Sequence, residues 1–458
     1  MRGANVGSKA KKIQAMSDRL EAGRQLRESV PRGAHAEWTA PTARPDSVAT
    51  LMASNEDRLE NLIPIRFGRM LANPFAYLRG SAPVMTVDLA GLPTTGVKVQ
   101  LCGDCHLMNF GMFATPERHV VFGLNDFDET YPGPWEYDLK RLAASFAVAA
   151  EDVGMNEKQS LAAVHATMRS YRENLWRHVA QTPLDIWYDT IGLEESIADA
   201  PDEKSRQTRI KLGQKAQQRV GDQLIPKLLQ QEGATMKIAD QPPLMYHMPE
   251  LDLPTVGRQF IAGYRETLSA DRRVLFDRYE VRDVAIKVVG VGSVGTRCLV
   301  ALFESSGGAP LFLQIKEATT SVLQKVVDGP SIEHNGERVV VGQRLMQPAT
   351  DIFLGWGTGP QGRHFYLRQL RDMKLSVALT NDPVALKRYG EFCGRALARA
   401  HANSGDGAMI AGYLGKSDAF DRAMGTFALS YAAQTVKDHL ALAEAERDGR
   451  VEAIFETM

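Results

Sequence analysis

Four cysteines in 458 residues are too few for a disulfide scaffold at this size. Nowhere does the chain reach the eighteen or so uninterrupted apolar residues of a membrane span, so no membrane partner is expected. The start, Met1-Arg2-Gly3-Ala4-Asn5, leads into charged sequence without an apolar export segment, which with the sparse cysteines points to a cytoplasmic location. A formal net charge of -1 lacks the basic excess with which proteins neutralise nucleic-acid phosphates, so no nucleic-acid partner is expected either. Internal repeats and low-complexity tracts are missing as well. The composition that remains, 44% hydrophobic and 24% charged, suits two or three domains or one large two-lobed unit.

Against this ordinary background one tract stands out: Gly103-Asp104-Cys105-His106-Leu107-Met108-Asn109-Phe110, followed by Leu124-Asn125-Asp126-Phe127-Asp128-Glu129. Phosphoryl transfer needs a carboxylate at the acceptor hydroxyl and oxygen ligands that hold Mg²⁺ on nucleotide phosphates. Asp104, with Asn109 on the same tight loop, supplies a carboxylate and a metal ligand. Asp126 closes the site from a neighbouring hairpin, delivered by the β-rich stretch Arg118–Leu124. Taken alone, the same residues are also what polar turns use. Cys102-Gly103-Asp104-Cys105-His106 also spells the c-type haem attachment pattern, but that chemistry requires export to an oxidising compartment.

A second segment lies far downstream. Gly290, Gly292 and Gly295, with Ser293 between them, form a GxGxxG loop after Val284-Ala285-Ile286-Lys287. A dinucleotide fold needs a helix next, whereas Thr296–Phe303 is short, apolar and β-branched and reads as a return strand. Strand, Gly loop, strand is a phosphate-covering hairpin. Pro310–Glu317 follows as a third strand carrying Lys316, whose ammonium suits nucleotide phosphates. Lys287 precedes the Gly loop and belongs to the first strand. Glu337, Glu317 and Glu333 compete to hold Lys316, with Glu337 at the most suitable separation. Arg79 and Arg368 suit anion binding, although pairing with a structural acid is the commoner fate of an arginine.

The loop Gly103–Asn109 resembles the catalytic loop of aminoglycoside phosphotransferases and choline kinases, and Asp126-Phe127-Asp128 resembles their metal-binding aspartate motif. Trp135-Glu136-Tyr137-Asp138-Leu139 is similar to a step that follows in those enzymes, and Tyr389–Ala402 resembles the helix that precedes their catalytic loop. The order here is rearranged, with catalytic loop before Gly loop. The resemblance therefore implies an α+β, two-lobed, protein-kinase-like fold in circularly permuted order, with a mainly helical large lobe and a small antiparallel-sheet lobe. Joining domain ends differently is physically allowed because termini often lie close together.

Carried over, Asp104 is the catalytic base and His106 and Asp138 support its loop. Asn109 and Asp126, with Asp128 beside them, are the Mg²⁺ ligands. Gly290, Gly292, Ser293, Gly295, Lys316 and Glu337 serve ATP. The chain as a whole also resembles a large uncharacterised bacterial family, through stretches such as Val30–Ala36, Ile65–Met70, Pro74–Gly80 and Gly342–Gln347; that resemblance brings no substrate. Cys105 and Met108 depart from the usual small residues of the loop.

The expected organisation is a partly helical lead-in over 1–60, a segment with the catalytic and metal loops over 61–200, and a helical insertion and linker over 201–275. A small nucleotide-binding lobe over 276–380 and C-terminal helices over 381–458 complete it. The leading function is an ATP- and Mg²⁺-dependent phosphotransferase acting on a small hydroxylated or aminated acceptor. A nucleotidyl (AMP) transferase of the same fold and a non-catalytic nucleotide-binding regulator are the alternatives. A metal hydrolase using Asp104, His106, Asp126 and Asp128 is more distant, since it leaves the Gly loop unexplained.

Overall fold

Helix starts are written into the chain as capping residues. Asn73 accepts a hydrogen bond from Ala76 N just ahead of Pro74, Asn156 and Gln159 form a reciprocal capping box, and Asp382 caps the helix opened by Pro383. The computed structural model describes residues 14–198, 200, 202–218, 228–232, 235–247, 257–370 and 379–456. Parts of the helical insertion and linker expected over 201–275 lie outside those residues, at 201, 219–227, 233–234 and 248–256.

Five helices lead: α1 (Met16–Ser29), α2 (Ser47–Ala53), α3 (Ile63–Met70), α4 (Pro74–Gly80) and α5 (Ala82–Ala90). Strands β1 (Lys98–Leu101), β2 (Phe110–Ala114), β3 (Val120–Leu124) and β4 (Tyr131–Pro134) follow, then the long helices α6 (Glu136–Asp152) and α7 (Glu157–Val179). The middle holds α8 (Pro183–Tyr188), β5 (Ile191–Gly192), α9 (Leu193–Ala198), α10 (Glu203–Gln218), β6 (Leu229–Glu232), β7 (Thr235–Ile238) and β8 (Met245–Tyr246). Next come α11 (Arg258–Glu266), α12 (Ala270–Phe276), β9 (Tyr279–Lys287), β10 (Cys298–Ser305) and β11 (Pro310–Glu317). The chain continues through α13 (Asn335–Met346), β12 (Gly355–Thr358) and β13 (His364–Gln369) to α14 (Pro383–Ser404), α15 (Gly407–Leu414) and α16 (Ala419–Arg447).

The protein is thus mixed α+β with antiparallel sheets. The largest sheet runs β12-β13-β11-β10-β9-β8, with every neighbouring pair antiparallel. The sequence put a strand through Lys287 before the Gly loop, a return strand at 296–303 and a third strand at 310–317, and β9, β10 and β11 are those strands. One face of this sheet packs Val284, Ala301, Phe303, Leu313 and Leu367 against Tyr264 of α11 and Phe276 of α12.

Most of the apolar core lies elsewhere, around α6. This helix is buried on nearly every side, as expected of a helix through the centre of a body rather than on its rim. After α6 the chain breaks at Gly154, whose φ is +78°, before α7 begins. Helix α7 packs closely along α14. A side-chain carbon at Gly394 would lie 2.3 Å from Thr167 O, so this approach requires glycine. No helix among the described residues is long and apolar enough to cross a membrane.

Strand register places the two key loops. Leu101 pairs with Tyr131 in the β1–β4 ladder, and Phe110 pairs with Leu124 in the β2–β3 hairpin. The loops 102–109 and 125–130 therefore leave and enter paired strands at both ends and run side by side.

Candidate functional site

Gly103 opens the first loop with φ +90°, and a side-chain carbon there would lie 2.2 Å from Glu129 O, so only glycine serves. Buried Asp138, from the first turn of α6, receives Cys102 N at 2.7 Å on Oδ2 and Gly103 N at 3.0 Å on Oδ1. His401 Nε2 of α14 lies 3.3 Å from the same Asp138 Oδ2, and Tyr171 Oη of α7 is 2.8 Å from His401 Nδ1. Ser145 Oγ accepts Leu107 N at 3.0 Å, and Tyr389 Oη lies 2.7 Å from Leu107 O. Three helices thereby fix one short loop.

On that loop, Asp104 Oδ1 receives both Nε and Nη2 of Arg141, at 2.8 and 2.6 Å. Asp104 Oδ2 has His106 Nε2 at 3.8 Å. Burial pushes the His106 pKa down to about 4, so the imidazole is neutral at pH 7. Asn109 Nδ2 donates to Asp104 O, turning the amide oxygen, its other end, into the free acceptor. Asn125 N donates to Asn109 O at 2.7 Å, which ties the two loops together.

Across this pair of loops sits the sheet. Lys316 of β11 is only 3% exposed; its ammonium is ion-paired with Asp128 Oδ2 and lies 3.7 Å from Asp126 Oδ1. Burial opposes that charge, but Asp126 and Asp128 outweigh it and hold the Lys316 pKa well above its ordinary value. Tyr366, opposite Lys316 on β13, donates to Asp128 Oδ1 at 2.8 Å. Arg368 of β13 donates from Nη1 to Asn125 O at 3.1 Å.

The partner assigned to Lys316 in the sequence differs from the one it has. Glu337 is exposed on the first turn of α13, where its backbone N–H meets His334, whereas Asp128 and Asp126 hold the lysine. The helix turns the adjacent residue inward instead. Arg338 donates to Thr130 O at 2.6 Å, and to Asp128 O and Thr319 O at 2.8 Å.

The Gly loop between β9 and β10 is docked rather than free-standing. Arg69 Nη1 donates to Gly290 O at 2.6 Å, Leu59 N to Gly295 O at 2.8 Å, and Arg58 Nη1 to Val294 O. Ser293 Oγ is engaged within the loop, 3.0 Å from Val289 O. The loop's first half faces a cleft of about 540 Å³, which Asp104, His106, Asn109, Asp126 and Asp128 line together with Gly290, Gly292 and Ser293. Gly295 packs on the Arg58 side chain outside that lining, and Lys316 lies beneath its two aspartates. The cleft also holds Arg58, Arg66 and Arg79 from the α2–α4 region.

Among the described residues, no group of three or more His, Cys, Asp or Glu is placed to share a metal ion. Magnesium on a nucleotide needs less from the protein, one or two carboxylates besides phosphates and water. Asp126, Asp128 and the Asn109 amide oxygen are hard oxygen donors on one cleft and fit that requirement. Sequence reasoning missed Arg141, Arg338, Tyr366, Arg58 and Arg66. Only Tyr366 carried a signal, since Tyr366 and Arg368 lie on one strand two residues apart and so share a face.

No curated protein and no solved structure matches the chain. A family model described as an uncharacterized protein conserved in bacteria (DUF2252) matches residues 58–445. Because that match spans the loops, the Gly hairpin, Lys316 and α14, and most of the chain, the protein belongs to this bacterial family.

Proposed function

We propose that the protein is an ATP- and Mg²⁺-dependent phosphotransferase with a two-lobed, kinase-like fold in permuted order, acting on a small hydroxylated or aminated acceptor. The observation that carries this reading is the ion pair of Lys316 with Asp128, two residues 188 positions apart. It joins the strand after the Gly hairpin to the loop after the Asp104 tract, the two halves a phosphoryl-transfer site needs. The contact of α14 with the Asp104 loop, through His401 and Tyr389, supports the permuted order.

In this reading Asp104 Oδ2 accepts the acceptor's proton as the acceptor oxygen or nitrogen bonds to the γ-phosphorus and the bond from that phosphorus to ADP breaks. Arg141 holds the carboxylate in orientation through Oδ1, leaving Oδ2 for the proton. Asp126, Asp128 and Asn109 Oδ1 would hold Mg²⁺, which supplies charge neutralisation on the phosphates when bound. Lys316 positions the two aspartates and offers its ammonium from below.

Calorimetric titration with ATP, with and without Mg²⁺, tests the reading. Wild-type protein should bind ATP in a metal-dependent way. Asp126→Ala should lose that dependence, whereas Asp104→Asn should keep binding and lose turnover. Absence of ATP binding by the wild type, or unchanged metal dependence in Asp126→Ala, overturns it. Mass analysis of a labelled acceptor separates phosphoryl from AMP transfer.

A further inference from the structure

Buried arginines in this protein are satisfied in one of two ways. Arg172 is paired with Asp421 and Arg44 with Asp88 and Asp438, each at 2.7 to 2.8 Å. Arg399 takes three carbonyls instead, those of Ile186, Met346 and Trp187. The arginines of the cleft have no acid partner among the described residues, and two of them keep a buried Nε without a hydrogen bond. Arg66 has no exposed surface, meets only neutral oxygens of Leu51, Ser54, Asn55 and Gly80, and its buried Nε has no hydrogen-bond partner. The Arg79 side chain makes no hydrogen bond or ion pair among the described residues, and its Nε is likewise buried without a partner. Arg58 gives its guanidinium to two backbone carbonyls, of Ser54 and Val294, and to no acid.

A buried guanidinium without a counter-charge is costly unless something else supplies the charge. These three line the same cleft, on the side built from the α2–α4 region. The Gly loop closes over it: a side-chain carbon at Gly292 would lie 3.0 Å from Arg79 O. Asp104 and Asp126, across the cleft, are near enough to act on Arg79 electrostatically, yet neither is in ion-pair contact with it. The two loops thus bring carboxylates to the cleft, and the α2–α4 region brings three guanidiniums to it, beside Glu56 and Asp57 of the same segment. Guanidiniums bind phosphate through paired, charge-assisted hydrogen bonds.

We infer that Arg58 and Arg79, backed by the charge of buried Arg66, form a phosphate-binding subsite, closed by Gly290–Ser293, with Arg79 as the free arm that grips the anion. Its ligand is a phosphate group, carried either by the nucleotide or by a phosphorylated acceptor. The inference rests on the phosphotransferase reading only for the source of that phosphate.

The test is calorimetric titration of the full chain with inorganic pyrophosphate in the absence of metal, for wild type and Arg79→Gln. Because the Arg79 side chain makes no hydrogen bond or ion pair among the described residues, the variant should keep the wild-type melting temperature. Pyrophosphate should bind the wild type and bind Arg79→Gln about tenfold or more weakly, with Arg79→Lys intermediate and wild-type affinity falling as salt rises. No binding to the wild type, or equal binding to Arg79→Gln, overturns the inference. Repeating the titration in saturating ATP and Mg²⁺ identifies the source. Competition assigns the subsite to the nucleotide's phosphates; undiminished pyrophosphate binding assigns it to a phosphorylated acceptor. A wild type that binds pyrophosphate but not ATP leaves the subsite standing and removes the phosphotransferase reading alone.

Discussion

His106 is the residue whose ionisation the site controls most directly. Burial holds its imidazole neutral down to about pH 4, against about 6.5 in an unfolded chain. Between those values the unfolded state binds a proton that the folded state does not. Stability therefore rises with pH through this window, is fully present above about pH 6.5, and is lost as pH falls through about 4. The contribution is on the order of 3 kcal/mol for such a shift. His35, pushed down to about 3 by burial, continues the loss at lower pH. Urea unfolding from pH 7 to pH 4 should show a shallower decline for His106→Gln than for wild type. An NMR titration placing His106 near 6.5 would contradict the burial argument. The loop bearing Asp104 was legible in the sequence as a tight turn, because Gly, Asp and Asn are what such turns use. Lys316 was readable from its strand. Its partner was not, since Glu337 and Asp128 differ only in which side of a fold they reach, a fact that spacing along the chain does not contain.

Helices decide whether the loop bearing Asp104 keeps its shape. Tyr389 and His401, both on α14, reach that loop or its Asp138 support, and α14 is seated by its packing along α7. Gly394→Leu would force the two helices apart at Thr167, an overpacking that costs about 1–3 kcal/mol. The expected result is a lowered denaturation midpoint together with, on the proposed phosphotransferase reading, weaker ATP–Mg²⁺ binding, because the same displacement withdraws Tyr389 and His401. A variant with the lowered midpoint but unchanged binding would show that the loop is held without α14. Helical spacing made α14 visible in the sequence between 389 and 402, and the structure extends it to 383–404. The division of 139–180 into α6 and α7 was hidden, since apolar periodicity continues across the break at Gly154 and only the capping pair Asn156 and Gln159 marks a new start. The docking of the Gly loop was invisible for a different reason. It depends on Arg69 and Leu59, more than 200 residues upstream.

At the scale of the whole molecule, the segment after the last helix packs on α3, the helix that supplies Arg66 to the cleft. Ile454 N donates to Pro64 O at 2.9 Å, and Glu456 pairs with Arg69 Nε at 2.6 Å, so the C-terminal segment lies on α3. Helix α3 also presents Arg69 to the Gly loop and Arg66 to the cleft. Val291 of that loop belongs to one apolar cluster with Phe67 and Met70 of α3 and with Leu442 and Val451. The last described residues thus brace the helix that positions the loop. Ending the chain at Gly449 removes Val451, Ile454 and Glu456 and leaves Arg69 without its carboxylate. The main core around α6 should survive this, so the truncated protein should fold with a lower melting temperature. Amide hydrogen exchange should rise in 63–70 and 290–295 but not in α6, and ATP–Mg²⁺ binding should weaken with it. Unchanged exchange in both segments would mean that α3 holds the Gly loop alone, while a rise in α6 as well would mean that the tail stabilises the whole body and not the cleft in particular.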